Sequence, residues 1–193
     1  MATSTTTYTP RQCARDILAV LATHDNNVVR ATPEIIPHIQ TLMRRPDLLE
    51  MGTPRDSAHT KDSIWLYYDP EFFILISHPE KDVMVPPHNH GTWEAIGLYR
   101  GALQYSRYQR QDDASRAGFA DLKQSESRTL HPGDATLLPG PPNDIHGFTG
   151  LTADTYIVAV STGLYSPVRN YFNPEAKTYT PRSENTWRAT RSR

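Results

Sequence analysis

The sequence predicts an all-β barrel or sandwich preceded by a helical segment, in a chain of 193 residues. The first fifty residues carry apolar side chains at helical spacing, whereas short aromatic and β-branched runs begin at Ser63. Sixteen prolines and ten glycines supply turns between these runs. Many short strands at regular spacing are typical of a sandwich or barrel.

Two helix-start signals lie in the first part of the chain. Thr9-Pro10 offers a capping residue followed by proline at the first helical position. The segment Thr32-Pro33-Glu34 predicts a second start, which places Pro37 in the first turn or so, where proline is tolerated. We therefore expect two helices within residues 1–55.

Seven strands are predicted in the middle of the chain from short aromatic and β-branched runs between turn residues. They are Ile64 to Tyr68, Phe72 to Ile76, Trp93 to Tyr99, Ala102 to Tyr108, Glu126 to Leu130, Ala135 to Leu138, and Tyr156 to Ser161. The predicted organisation is one domain over residues 1–193. Residues 60–170 form its barrel, and residues 171–193 form a polar tail that packs as a loose strand or frays.

Composition excludes several classes of protein. A formal net charge of −1 argues against a duplex-DNA partner, which needs a basic surface. No apolar run approaches the roughly 20 residues that span a membrane, and the Thr-rich start lacks the features of a signal peptide. A single cysteine, Cys13, forbids an intrachain disulfide. We expect a cytoplasmic monomer or homodimer that binds neither nucleic acid nor membrane.

The strongest candidate for chemistry is the segment His88-Asn89-His90. On a strand, residues two apart point to the same face, so both imidazoles would converge on one point. Glu94 shares that face if the strand stays regular. Two imidazoles and a carboxylate are ordinary ligands for Fe, Mn, Ni, Co or Zn.

The surroundings of this pair resemble a known pattern. One residue separates His88 from His90, three separate His90 from Glu94, and six separate Glu94 from Gly101. This spacing resembles the first sequence motif of the cupin superfamily. One position differs, because the opening glycine of the motif falls at Asp82.

A second block resembles the second cupin motif, with Gly133, five residues, Pro139 and then His146. Its loop before the histidine is longer than usual, and Gly150 stands where the motif ends in asparagine. The resemblance implies a double-stranded β-helix, the cupin barrel, with the N-terminal helices packed outside. The metal ligands that it implies are His88, His90, His146 and Glu94.

A third stretch, Ser161-Thr162-Gly163-Leu164-Tyr165-Ser166-Pro167, is similar to the end of the thiol dioxygenases, the group of cysteine dioxygenase and mercaptopropionate dioxygenase. Ser161 and Tyr165 match a relay in which Gly163 replaces the middle histidine. The resemblance implies Fe(II), dioxygen, and oxidation of a small polar thiol to a sulfinate. Ser161 and Tyr165 are then candidate catalytic residues. Glu94 departs from this group, which uses three histidines and usually has a small residue at that position, and it is a third catalytic candidate as a proton donor.

Alternatives remain open. Glu94 favours a four-ligand cupin enzyme, either a dioxygenase that cleaves carbon–carbon bonds or an isomerase or epimerase. A ligand-sensing cupin without catalysis is a third class, and Mn, Ni, Co or Zn could replace iron. Arg100, Arg107 and Lys61 are candidates for binding a substrate carboxylate. Glu94 itself either ligates the metal, pairs with a cation, or donates a proton.

Overall fold

The structure is a computed structural model that describes residues 8–55, 61–163 and 165–183. The described chain begins with helices α1 (Pro10–Thr23) and α2 (Val28–Met43) and a short 3-10 helix (Leu48–Glu50). Strands then follow. They are β1 (Thr53–Arg55), β2 (Lys61–Tyr68), β3 (Phe72–His78), β4 (Met84–His88), β5 (Glu94–Arg100), β6 (Leu103–Arg110), β7 (Leu122–Leu130), β8 (Ala135–Leu138), β9 (Ile145–Gly150), β10 (Tyr156–Thr162), β11 (Val168–Asn173) and β12 (Thr178–Ser183).

These strands form two sheets of six. The first has the order β1-β2-β3-β10-β5-β8, and the second has the order β12-β11-β4-β9-β6-β7. The pairings between strands in both sheets are antiparallel. From β3 to β6, and again from β8 to β11, the chain alternates between the sheets. The predicted predominance of β-structure is confirmed, and the strands extend beyond residues 60–170.

Helix α1 begins where the sequence predicts. The Thr9 side chain accepts a hydrogen bond from the backbone N–H of Gln12 at 3.2 Å, and the Gln12 side chain accepts one from the backbone N–H of Thr9 at 2.8 Å. This reciprocal arrangement pairs two donors that a helix start otherwise leaves without partners. Pro10 occupies the first helical position, where its missing N–H costs nothing.

The predicted start of the second helix is wrong. Helix α2 begins at Val28 and is capped by Asn27, whose side chain accepts from the backbone N–H of Arg30 at 3.1 Å. Pro33 and Pro37 therefore both lie inside the helix. Packing of its apolar face, which buries Ile35 and Ile39 completely, outweighs the backbone hydrogen bonds that two prolines remove.

Both helices pack on one face of the first sheet. Their apolar residues share a core with the even-numbered residues Phe72, Ile74 and Ile76 of β3. The odd-numbered residues Phe73 and Leu75 belong to a different cluster, which Tyr165 joins. Since side chains alternate between the faces of a strand, the helices cover the face opposite Tyr165. Neither described helix is long and apolar enough to cross a bilayer.

Five of the strands were not predicted, namely β1, β4, β9, β11 and β12. Pro86-Pro87 in β4 and the glycines of β9 have the composition of turns. The ladder between β4 and β9 is irregular between Val85 and His88, which accommodates the two prolines. A Cβ on Gly147 would lie 3.1 Å from the nitrogen of Pro87, so the close approach of these strands favours glycine. Of the two alternatives predicted for the tail, the strand is the one seen in its first part, where β12 pairs with β11. The last ten residues of the tail lie outside the described part.

Candidate metal centre

Three histidines converge between the two sheets. One ligand atom each from His88, His90 and His146 lies within 4.8 Å of the other two. All three side chains are almost fully buried, with relative exposures of 3%, 4% and 1%. His88 and His146, which are 58 positions apart in the sequence, thus form one buried cluster with His90. This cluster is able to bind a metal ion.

The fold brings the histidines together by two different means. His88 ends β4 and lies directly opposite His146 of β9 in the antiparallel ladder, so their side chains share one face. His90 lies in an irregular segment after β4, where Gly91 has a φ of +76°. The strand does not stay regular from His88 to Glu94, because the chain bends at Gly91 and Glu94 opens β5.

The nitrogen positions fit a divalent metal. The Nδ1 atom of His88 lies 2.9 Å from the carbonyl oxygen of Pro86, and donating to that oxygen leaves Nε2 for a metal. The Nε2 atoms of His90 and His146 lie 2.9 Å apart. Two nitrogens that each bind one metal at about 2.1 Å, at right angles, lie about 3 Å apart.

Electrostatics keep His146 in the protonation state that a metal requires. Burial, with the nearby charges of Arg169 and Arg107, lowers the pKa of His146 to about 3. Its imidazole is therefore neutral at physiological pH, and only neutral imidazole has a lone pair to donate to a metal.

Glu94 lies beside the histidines, and its two carboxyl oxygens face different neighbours. Its Oε2 atom is 3.4 Å from Nε2 of His146 and 3.5 Å from Nε2 of His90, and it accepts no hydrogen bond from a described residue. Its Oε1 atom accepts a hydrogen bond from the hydroxyl of Tyr165. Burial raises the pKa of Glu94 to about 7, although this hydrogen bond and the charge of Arg169 oppose the shift.

Tyr165 reaches the same cavity. Its ring lies 4.2 Å from that of His90 and meets Phe73 edge-on at 4.8 Å. Burial and the adjacent Glu94 carboxyl hold the pKa of Tyr165 well above its usual range. The residue is therefore a neutral phenol whose single proton is donated to Glu94.

Ser161 lies elsewhere. Its hydroxyl donates to the carbonyl oxygen of Trp93 at 2.5 Å and to that of Thr162 at 3.2 Å. Among the described residues that line the cavity, Ser161 is absent. The structure thus brings together His88, His90, His146, Glu94 and Tyr165, while the catalytic role of Ser161 stays a prediction.

The cavity in front of the histidines is small, with a volume of about 50 Å³. One side is apolar, being lined by Leu75, Val85, Ile96, Phe148, Ile157 and Ala159. Arg55 and Arg169 also line it and are partly exposed. The guanidinium of Arg169 lies 4.7 Å from the ring centroid of Tyr165, and that of Arg55 lies 4.9 Å from the ring of Trp65.

The cations proposed from sequence for a substrate carboxylate are used for other contacts. Arg100 donates to the carbonyl oxygen of Pro46 at 3.2 Å. Arg107 donates to the carbonyl oxygen of Leu137 at 2.8 Å and pairs with Glu126 at 3.2 Å. The side chain of Lys61 lies outside the described part of the chain. Arg55 and Arg169 were missed, and only the alternation of Arg169 with Tyr171 on β11 could have signalled one of them.

No protein-family model matches the chain, and no curated protein matches its sequence. Solved structures with limited similarity include KdgF from Halomonas sp. (TM-score 0.40, 19% identity, 52% of this chain and 78% of that one). Another is hydroquinone 1,2-dioxygenase from Sphingomonas sp. TTNP3 with bound 4-hydroxybenzoate (TM-score 0.42, 12% identity, 53% of this chain and 66% of that one). A third is an uncharacterised conserved protein with a double-stranded β-helix domain from Klebsiella pneumoniae (TM-score 0.40, 10% identity, 69% of this chain and 92% of that one). At these scores and identities, none assigns the chain to a family.

Proposed function

We propose that this chain is a cupin that acts as a non-haem iron dioxygenase on a small thiol and produces a sulfinate. One observation carries the proposal: three buried histidines converge at a small cavity that Tyr165 also lines. The two cupin-like blocks and the Ser161-to-Pro167 stretch add support from sequence. In the overall reaction, both atoms of dioxygen pass to the substrate sulfur, which loses four electrons, and the product sulfinic acid keeps the thiol proton or releases it to water.

In this proposal His88, His90 and His146 hold the iron. A bound Fe(II) would supply open coordination positions and the one-electron chemistry that lets dioxygen react with a thiol. The protein contributes orientation and a dry environment, because the cavity is narrow and largely apolar. A volume near 50 Å³ holds only a few water molecules, which favours a substrate of few heavy atoms.

The charged residues of the cavity favour an anionic substrate. Arg55 and Arg169 both line it, and a guanidinium fork matches a carboxylate. The carboxyl of Glu94 is already hydrogen-bonded to Tyr165 and has a raised pKa, so the cavity offers little to a substrate ammonium. A mercapto acid fits both parts of the cavity, with its carboxylate toward Arg169 and its sulfur toward the histidines.

The position of Glu94 favours the second candidate, a four-ligand cupin enzyme. Its Oε2 atom lies within 3.5 Å of two imidazole nitrogens. A fourth protein ligand would occupy a position that thiol and dioxygen need, and it would suit cleavage of a carbon–carbon bond, isomerisation or epimerisation. A non-catalytic sensor is the third candidate.

One experiment separates the three. The protein is reconstituted anaerobically with Fe(II), its metal content is measured, and oxygen uptake is recorded with small mercapto acids and with their hydroxy analogues. We expect about one iron per chain and uptake with thiols alone. Bound iron with no uptake from any thiol would reject the thiol dioxygenase in favour of the four-ligand enzyme, and failure to bind any divalent metal would favour the sensor.

A further inference from the structure

The relay suggested by the sequence has no counterpart at Tyr165. Gly163 occupies the position of the middle histidine, has a φ of +69°, and leaves open space where a Cβ would stand. Its backbone N–H donates to the carbonyl oxygen of Glu71 at 2.6 Å. The Ser161 hydroxyl donates to backbone carbonyl oxygens. The local backbone therefore directs both residues away from the Tyr165 hydroxyl.

Glu94 makes the hydrogen bond to the Tyr165 hydroxyl that Ser161 and Gly163 do not make. Its Oε1 atom accepts the hydroxyl proton of Tyr165 across 71 positions of sequence. Glu94 is 3% exposed and opens β5. It is paired with Leu138 of β8, and the next residue, Ala95, is paired with β10 as well. A carboxyl on a paired central strand is a firmer anchor than a side chain on the loop that carries Tyr165.

The ring of Tyr165 is held by its other neighbours. Phe73 meets it edge-on, the ring of His90 lies 4.2 Å away, and the Arg169 guanidinium lies 4.7 Å from its centroid. These contacts hold the ring beside His90, and the hydrogen bond to Glu94 is the contact that its hydroxyl makes.

We infer that Glu94 is the positioning residue for Tyr165 and takes the place of the serine–histidine relay. Glu94 acts through its Oε1 atom as a hydrogen-bond acceptor, and it holds the phenol at the edge of the metal cavity. The catalytic role of Tyr165 in this position rests on the proposed function. The position of the Tyr165 ring can be tested in the metal-free protein, independently of that function.

The test follows the environment of Tyr165 directly. 3-Fluorotyrosine is incorporated at position 165, and its ¹⁹F resonance is recorded in chelator-treated protein. Glu94→Gln keeps a carbonyl acceptor, so the resonance should stay near that of the parent protein. Glu94→Ala removes the acceptor, so the resonance should shift toward its position in the unfolded chain. Glu34→Ala removes a carboxylate that pairs with His24 on the surface, and it should change nothing.

A double-mutant cycle gives an independent reading. Glu94→Ala and Tyr165→Phe should together lower the urea midpoint of the metal-free protein by clearly less than the sum of their separate effects. If Glu94→Ala does not fold, Glu94→Leu, which preserves volume, replaces it. An unshifted resonance in the Ala or Leu variant, or strictly additive losses of stability, would overturn the inference. If the resonances behave as expected but the protein oxidises no thiol, the proposed function is rejected and the positioning role of Glu94 stands.

Discussion

The carboxylate of Asp144 is bound to the backbone of His90, 54 positions earlier in the chain. Its Oδ2 atom accepts the N–H of His90 at 3.2 Å and the N–H of Gly91 at 2.8 Å. Asp144 is 3% exposed and lies two residues before His146. One buried side chain thus fixes the bend that presents His90 and ties it to the strand that presents His146.

Asp144 should therefore support metal binding without contacting the metal. Asp144→Ala leaves the buried N–H of His90 and the N–H of Gly91 without their acceptor, which costs about 1–3 kcal/mol in free energy of unfolding. We expect the affinity for Fe(II) to fall about 10-fold or more, because groups that orient ligands have effects of that size. Urea unfolding of the metal-free protein and competition with a chelator measure the two quantities.

Asp134→Ala is the matched control for this prediction. Asp134 accepts one backbone N–H, from His131, at 2.8 Å in an exposed turn. Its removal should lower stability slightly and leave the affinity for metal unchanged. An Asp144→Ala protein that binds Fe(II) as tightly as its parent would show that the bend at Gly91 needs no anchor.

The three histidines should bind metal as a unit. His146→Ala should lose most of the bound iron, because it removes one of the three buried imidazoles that converge on the cavity. The fold should survive, since the large apolar cluster around α1, α2 and β3 does not include the site. Elemental analysis after reconstitution, with circular dichroism as a check on folding, decides the matter. His131→Ala, at an exposed turn, should keep full metal content.

Arg169 should set the affinity for an anionic substrate. Arg169→Met keeps much of the side-chain volume over Tyr165 and removes the charge. Loss of a charged hydrogen bond should raise KM for a mercapto acid about 10-fold or more. Steady-state oxygen uptake over a range of substrate concentrations measures this change. Arg100→Met, which alters a guanidinium bound to the Pro46 carbonyl, should leave KM as it was, and equal effects of both changes would place the substrate carboxylate elsewhere.

Local pattern was sufficient for much of the fold. The cap at Thr9, and strands such as β3 and β8, follow from spacing over a few residues, because the residue types of those segments favour the observed conformation by themselves. The strands that carry His88 and His146 could not be found in this way. They contain prolines or glycines that local pattern reads as turns, and their pairing with distant strands is what makes them extended.

The same distinction applies to the site. The identity of the three histidines was predictable from their sequence motifs, whereas the position of His90 depends on Asp144, which no local signal connects to it. The contact between Glu94 and Tyr165 joins residues from separate elements. Arg55 and Arg169 line the cavity from β1 and β11, two strands that the sequence did not predict.

The raised pKa of Glu94 should make the stability of the metal-free protein depend on pH. Its pKa is about 7 in the folded protein against an ordinary value of 4.5. Between these values the unfolded chain has released the proton and the folded protein has kept it. Stability is therefore fully present below pH 4.5 and is lost as pH rises through 7, by about 1.4 kcal/mol per pH unit and about 3 kcal/mol in all.

Glu94→Gln isolates this effect, because glutamine does not titrate and still offers Tyr165 a carbonyl oxygen. The depressed pKa of His146 acts in the opposite direction below pH 6.5, but it acts in both proteins and cancels in their difference. Urea unfolding with excess chelator at pH 4.5, 6.0 and 7.5 should show the variant gaining about 3 kcal/mol on its parent across the series. Glu34→Gln, at an exposed carboxylate, should show no such gain. Parallel curves for Glu94→Gln and its parent would mean that Glu94 is already ionised when the protein is folded at neutral pH, with its charge balanced by Arg169.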